Sequence, residues 1–114
     1  PLPSMAGIPA MAAEVQEMLR QSIRSFVERE TELALTVIAS DKAVDAGYKE
    51  CVAAVEATIV ADPETTGRAL HLLTIAKALE RAGDHATNIA EEVFYLYEGE
   101  DIRHSKSKGK FDVT

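Results

Sequence analysis

The chain has 114 residues, enough for one domain and too few for a typical second one. Its 46% hydrophobic content can build a core, and with 5% aromatics and no Trp that core falls to Leu, Val, Ile and Ala. A net charge of −7 disfavours broad nucleic-acid binding, which needs a positive surface, and a single cysteine, Cys51, excludes an intrachain disulfide framework or a Cys-rich zinc site. No window reaches the roughly 18 uninterrupted apolar residues of a membrane span. The opening PLPSMAGIPAM has neither the basic nor the continuous apolar region of a signal peptide.

Three of the four prolines lie within the first nine residues, and the fourth, Pro63, is alone in the body of the chain. Residues 1–8 read as a linker. The spacing predicts a first helix over 9–40, opened by Pro9, which loses nothing by lacking an N–H in a first turn. Its expected apolar stripe is Leu19, Ile23, Phe26, Leu33 and Val37. Glu30 falls on that stripe and reads as a partly buried acid paired to a base. Ser40-Asp41-Lys42 reads as a break, with Ser40 or Asp41 capping the next helix.

A second helix is predicted over 42–61, with Val44, Tyr48, Cys51, Val52, Val55 and Ile59 on its apolar face, ending before Pro63. A third is predicted over 64–98, with Gly99 as its stop. Ala82, Gly83, Ala86 and Ala90 give it a small-sided seam that admits close approach of a neighbour. Gly83 costs about 1 kcal/mol against Ala there, so packing or function should offset it. Residues 9–99 therefore read as an all-α, antiparallel up-down-up three-helix bundle. Residues 100–114, with four basic residues from Arg103 onward against one acid, read as a flexible basic tail. In this reading helices one and three outrun helix two. The overhangs would expose Met11, Val15 and Met18 at one end and Phe94, Tyr95 and Tyr97 at the other. Such apolar surface predicts self-association into a homo-oligomer, or cover by a missing half.

The chemistry concentrates in Glu80-Arg81-Ala82-Gly83-Asp84-His85-Ala86-Thr87-Asn88. Glu80, Asp84 and Asn88 stand four apart and share a helix face, and Asp41 and Asp45 repeat the spacing on helix two. Both helices rise 1.5 Å per residue, so positions about 20 before the Pro63 turn lie level with positions about 20 after it. Asp41 and Asp45 should therefore meet Glu80 and Asp84. Oxygen ligands from facing helices are how bundles hold cations. The plain alternative is a solvated acidic face neutralised by arginines such as Arg81. A ferritin-like centre lacks its Glu-x-x-His pairs, and His85 points about 100° from Asp84. His71 and His104 are isolated, Cys51 reads as core, and no arrangement of nucleophile and base supports an enzyme.

The run LHLLTIAKALERAGDHATNIAEEVFYLYEGEDIRH, Leu70 to His104, closely resembles the signature helix of the PhoU family of phosphate-signalling regulators. IPAMAAEVQEML and SFVERETELALTVIASDKAVD are similar to the first helix and turn of the same repeat. The resemblance implies one of two tandem three-helix bundles, in the order of the second. PLPSMAGIP would then be the stretch joining them and the chain a fragment or isolated half. It also implies negative regulation of phosphate uptake and of the phosphate-starvation response by a non-enzymatic cytoplasmic adaptor. That adaptor would stand at the inner membrane face between a phosphate ABC transporter ATPase and a sensor histidine kinase, with peripheral membrane association only. It implies divalent or iron-type metal ions, iron or zinc and also manganese or magnesium. The family's acid-x-x-x-Asp motif matches Glu80 and Asp84 directly and Asp41 and Asp45 by spacing, with Asn88 an outer candidate. A metal-binding bundle without a signalling role is the alternative.

Overall fold

The structure is a computed structural model that describes the backbone of residues 7–113 and the side chains of residues 7–100. It contains α1 (Gly7–Val27), α2 (Thr31–Ala61), a 3-10 turn (Pro63–Thr65) and α3 (Thr66–Val113). The three helices form an antiparallel up-down-up bundle 76 Å in its longest dimension, set by α3. No described helix is long and apolar enough to cross a membrane. Most of the linker assigned to residues 1–8 lies outside the described residues, as do the tail's side chains and that of His104.

The second turn lies where Pro63 demands it. Asp62 accepts the Glu64 N–H on its side chain at 3.2 Å, and its own N–H closes α2 on Thr58 O at 3.0 Å. Thr65 Oγ1 donates to Asp62 O at 2.7 Å.

The first turn is at residues 28–30, not at Ser40–Lys42. Arg29 has φ 53, the left-handed conformation that usually calls for Gly. Glu30 N–H reaches back to Ser25 O at 3.0 Å, and Arg29 N–H to Phe26 O at 3.4 Å. These are the two bonds of a Schellman stop, here built without glycine. Distant contacts hold Arg29 in place. Its guanidinium lies 4.4 Å from the Tyr97 ring centroid and 2.8 Å from Glu100. The Tyr97 hydroxyl donates to the Phe26 carbonyl, and the two rings stack 6.3 Å apart. Ser40 caps nothing. Its hydroxyl bonds Thr36 O, one turn back inside α2, and the buried Ala34, Val37 and Val44 carry the helix through residues 40–42. Glu30 is exposed at the turn, off the apolar seam.

Moving the turn leaves Ile23 and Phe26 of the expected stripe facing outward, while Leu19 packs on the core and Val37 is buried. On α1 the buried residues are Met11, Val15, Met18, Ser22 and Ser25, spaced four and three, while Ile23 and Phe26 stay 57% and 53% exposed. Two buried serines are tolerated because their hydroxyls donate to Leu19 O at 2.8 Å and Ser22 O at 2.6 Å. Met11, Val15 and Met18 are therefore core, not an overhang. At the other end Tyr97 is buried, Phe94 half-buried and only Tyr95 well exposed. On α3, Ala69, Ala76, Gly83, Ala90 and Tyr97 recur every seven residues and are all buried. That period keeps one seam facing its neighbours along a left-handed supercoil. α3 also continues beyond Gly99 to Val113, since no described glycine takes a positive φ and nothing there removes a backbone donor.

Candidate metal centre

Gly83 sets the depth of the site. A β-carbon there would lie 3.3 Å from Val44 Cγ1 and 3.6 Å from Val15 Cγ2. The missing side chain lets α3 settle against both neighbours, which is the packing return for a glycine in mid-helix. The residues next in sequence, Asp84 after Gly83 and Asp45 after Val44, are thereby brought face to face. One carboxylate oxygen each of Asp41, Asp45 and Asp84 lies within 4.8 Å of the other two. Asp41 and Asp45 are half-buried and Asp84 is exposed.

Such crowding is electrostatically unfavourable when all three are ionised. Burial, then the charges of Asp45 and Asp84, push the Asp41 carboxyl up from its ordinary range. Thr87 offers weak relief. Its hydroxyl is 3.4 Å from Asp41 Oδ1 and 3.0 Å from Gly83 O, and one hydrogen serves the nearer acceptor better. Among the described residues no ion pair reaches any of the three aspartates.

The other sequence candidates are placed differently. Glu80 turns to Lys77 Nζ at 2.6 Å, and that ammonium also lies 5.0 Å from the Tyr48 ring centroid. The hydrogen bond to Glu80 raises the Lys77 pKa. Glu80 is thus already neutralised, one turn along α3 from the aspartates. Asn88 is exposed and lines a groove between α1 and α3 together with His85. Cys51 is buried among the core side chains, and burial raises its thiol pKa. The sequence reading missed the roles of Thr87 and Lys77. Thr87 lies within the quoted motif, and Lys77 stands three before Glu80, a spacing at which helical side chains meet.

The donor set fits a hard cation. Three carboxylate oxygens within 4.8 Å can converge on an ion with ligand distances of about 2.0–2.6 Å, leaving waters to complete the shell. Bound charge would also offset the repulsion among the aspartates.

The PhoU domain family matches residues 8–93, a span that holds the turn at Arg29, the Pro63 turn and all three aspartates. The chain belongs to the PhoU family. It is 38% identical over 94 residues to a phosphate-specific transport system accessory protein PhoU homolog of Pseudomonas aeruginosa, covering 82% of this chain and 39% of that one. A protein of the same description from Aquifex aeolicus is 38% identical over 110 residues, covering 96% of this chain and 50% of the relative. The crystal structure of PhoU from Pseudomonas aeruginosa superposes with a TM-score of 0.78 at 36% identity, over 80% of this chain and 44% of that one. The chain thus spans half the length or less of these relatives. The PhoU likeness accounts for the architecture and covers the segment that brings Asp41, Asp45 and Asp84 together.

Proposed function

We propose that this chain is a PhoU-type regulator that acts by protein contact to restrain phosphate uptake and the phosphate-starvation response. The observation that carries this reading is the family match over residues 8–93, together with relatives described as accessory proteins of a phosphate-specific transport system. In this reading the bundle is a non-enzymatic adaptor at the cytoplasmic membrane face. Its partners are the ATPase of a phosphate ABC transporter and a phosphate-sensing histidine kinase. The test is expression of the chain in bacterial cells lacking their own regulator of this kind, with phosphate uptake and a starvation reporter as readouts. Restored repression at high phosphate supports the proposal; unchanged derepression in cells that accumulate the protein rejects it.

The regulator would carry a cation on Asp41, Asp45 and Asp84, with Glu80 available once Lys77 releases it and Asn88 no nearer than an outer position. The crowding of three aspartates with no paired cation among the described residues supports this. Iron, zinc, manganese and magnesium all accept such oxygen ligands. The same observation favours a second reading, a metal-binding bundle without a signalling role. Elemental analysis of protein purified without a metal-affinity step tests the site: stoichiometric metal that Asp41→Asn with Asp84→Asn removes supports it, and metal unchanged by the double substitution rejects it.

A further inference from the structure

Glu80 stands between a carboxylate and an ammonium on α3. Asp84 is one turn after it and Lys77 one turn before, and residues at these spacings share a helix face. Glu80 takes the Lys77 side. Its Oε1 accepts from the ammonium at 2.6 Å, and it is not one of the three carboxylates that crowd within 4.8 Å of one another. We propose that Lys77 is an internal competitor at the cation site: it holds Glu80 off the three aspartates and so lowers the affinity of that site for a divalent ion. This inference rests on the reading of Asp41, Asp45 and Asp84 as cation ligands.

Helix geometry favours the pairing observed. Side chains on a helix lean toward its N-terminus, so Glu80 leans over the turn of Lys77 and away from Asp84. The Glu80 side chain is only 15% exposed, so its charge needs a partner close by, and Lys77 supplies it. Arg81 does not take that place. It is exposed, about 100° around the helix from Glu80, and in none of the described ion pairs. A second contact fixes the ammonium at the seam between α2 and α3. It lies 5.0 Å from the Tyr48 ring centroid, within reach of the electron-rich face. Tyr48 stands three residues after Asp45, so the lysine is tied to the helix that carries two of the three aspartates. Among the described residues no ion pair joins Lys77 to an aspartate. The ammonium thus sits beside the site and takes the one nearby carboxylate that could enlarge it.

Removing Lys77 has two effects of the same sign. Glu80 becomes free to turn toward Asp84 and add a fourth carboxylate to the three, the donor type that hard divalent cations take. The loss of a positive charge next to the aspartates also deepens the negative potential there. Only the first effect needs the Glu80 carboxylate, so the two are separable.

The test is manganese(II) titration of the chelator-treated chain, with the free ion followed by its paramagnetic resonance signal and retained helix checked by circular dichroism. Lys77→Met is expected to tighten manganese binding about tenfold. Tyr48→Leu, which removes the ring that holds the ammonium, tightens it about threefold. Lys77→Arg keeps a charge at the same spacing and Tyr48→Phe keeps the ring face, so both stay within about twofold of the wild type. Glu80→Gln is the deciding background, because there Lys77→Met loses most of its gain. A wild type that binds manganese and a Lys77→Met variant that binds it no more tightly overturn the competition and leave the aspartate site standing. So does a gain that persists in full with Glu80→Gln, which would be an effect of charge alone. Manganese bound by neither the wild type nor Lys77→Met, or bound by both after Asp41→Asn with Asp84→Asn, overturns this inference together with the reading of the aspartates as ligands.

Discussion

The Tyr97 hydroxyl donates to the backbone carbonyl of Phe26, 71 residues earlier in the chain. That carbonyl ends α1, and it also accepts the Arg29 N–H at 3.4 Å. Tyr97 thus supplies a second donor to a carbonyl that the Arg29 N–H reaches only at 3.4 Å. Tyr97→Phe keeps the stacked ring and the face beneath Arg29 but loses the donor. We expect a loss of about 1 kcal/mol, the usual net worth of a neutral hydrogen bond. Tyr97→Ala also leaves a cavity and should cost about 3 kcal/mol or more. Urea unfolding of the two variants separates the contributions.

Arg29 is held in the left-handed region by its contacts, and an L side chain is disfavoured there by about 1–2 kcal/mol. Arg29→Gly loses the ion pair and the ring contact but sheds the strain. Arg29→Ala loses both contacts and keeps the strain. The glycine variant should be the more stable of the two by about 1 kcal/mol, measured as the difference in unfolding free energy. Equal stabilities would mean that the turn relaxes out of the left-handed conformation.

That turn explains what could and could not be read from the sequence. Pro63 announces the second turn because a residue without an N–H cannot sit in mid-helix. The first turn has no such local mark. Arg29 adopts a glycine-like conformation because Tyr97 and Glu100, far along α3, hold it, and this cannot be seen in residues 26–32 alone. The apolar stripe through Ile23 and Phe26 misled for a related reason. Ser22 and Ser25 can be buried because each hydroxyl finds a carbonyl one turn back, so the least apolar face of that stretch is the one that packs. The meeting of Asp41, Asp45 and Asp84 was legible despite the misplaced turn. Their level is counted from Pro63, and it does not depend on where α2 begins. The pairing of Glu80 with Lys77 depends on which of two nearby partners the side chain takes, a choice that spacing leaves open.

Gly83 separates packing from helix propensity. Gly83→Ala gains about 1 kcal/mol of propensity, but its new carbon lies 3.3 Å from a Val44 methyl that has no room to retreat, so the net change should be small. Gly83→Leu has no such balance. It should cost about 2–3 kcal/mol by overpacking and push α3 away from α2. Calorimetric melting of the two variants checks this ordering.

The aspartates give a pH dependence of definite sign in chelator-treated protein. The Asp41 carboxyl is raised in the fold above its ordinary value of 3.8, so the folded state holds its proton to higher pH than the unfolded chain. The contribution is most favourable below that ordinary value and is lost as pH rises through the folded-state pKa. Asp41→Asn should therefore be more stable than wild type at neutral pH, with the advantage disappearing at pH values below the ordinary carboxylate range. Manganese or zinc should reverse the ranking at neutral pH, raising the melting temperature of the wild type and not that of Asp41→Asn. Equal metal-induced shifts in both proteins would place the bound ion elsewhere.

The regulatory account rests on contact with the transport machinery, so the most direct measurement is gel filtration of this chain with the purified ATPase of a phosphate transporter and, separately, with the cytoplasmic part of a phosphate-sensing kinase. The account predicts that the 12.3 kDa chain co-elutes with at least the ATPase in a defined ratio. Separate elution from both, at concentrations where each protein is soluble and this chain is fully helical, would contradict it.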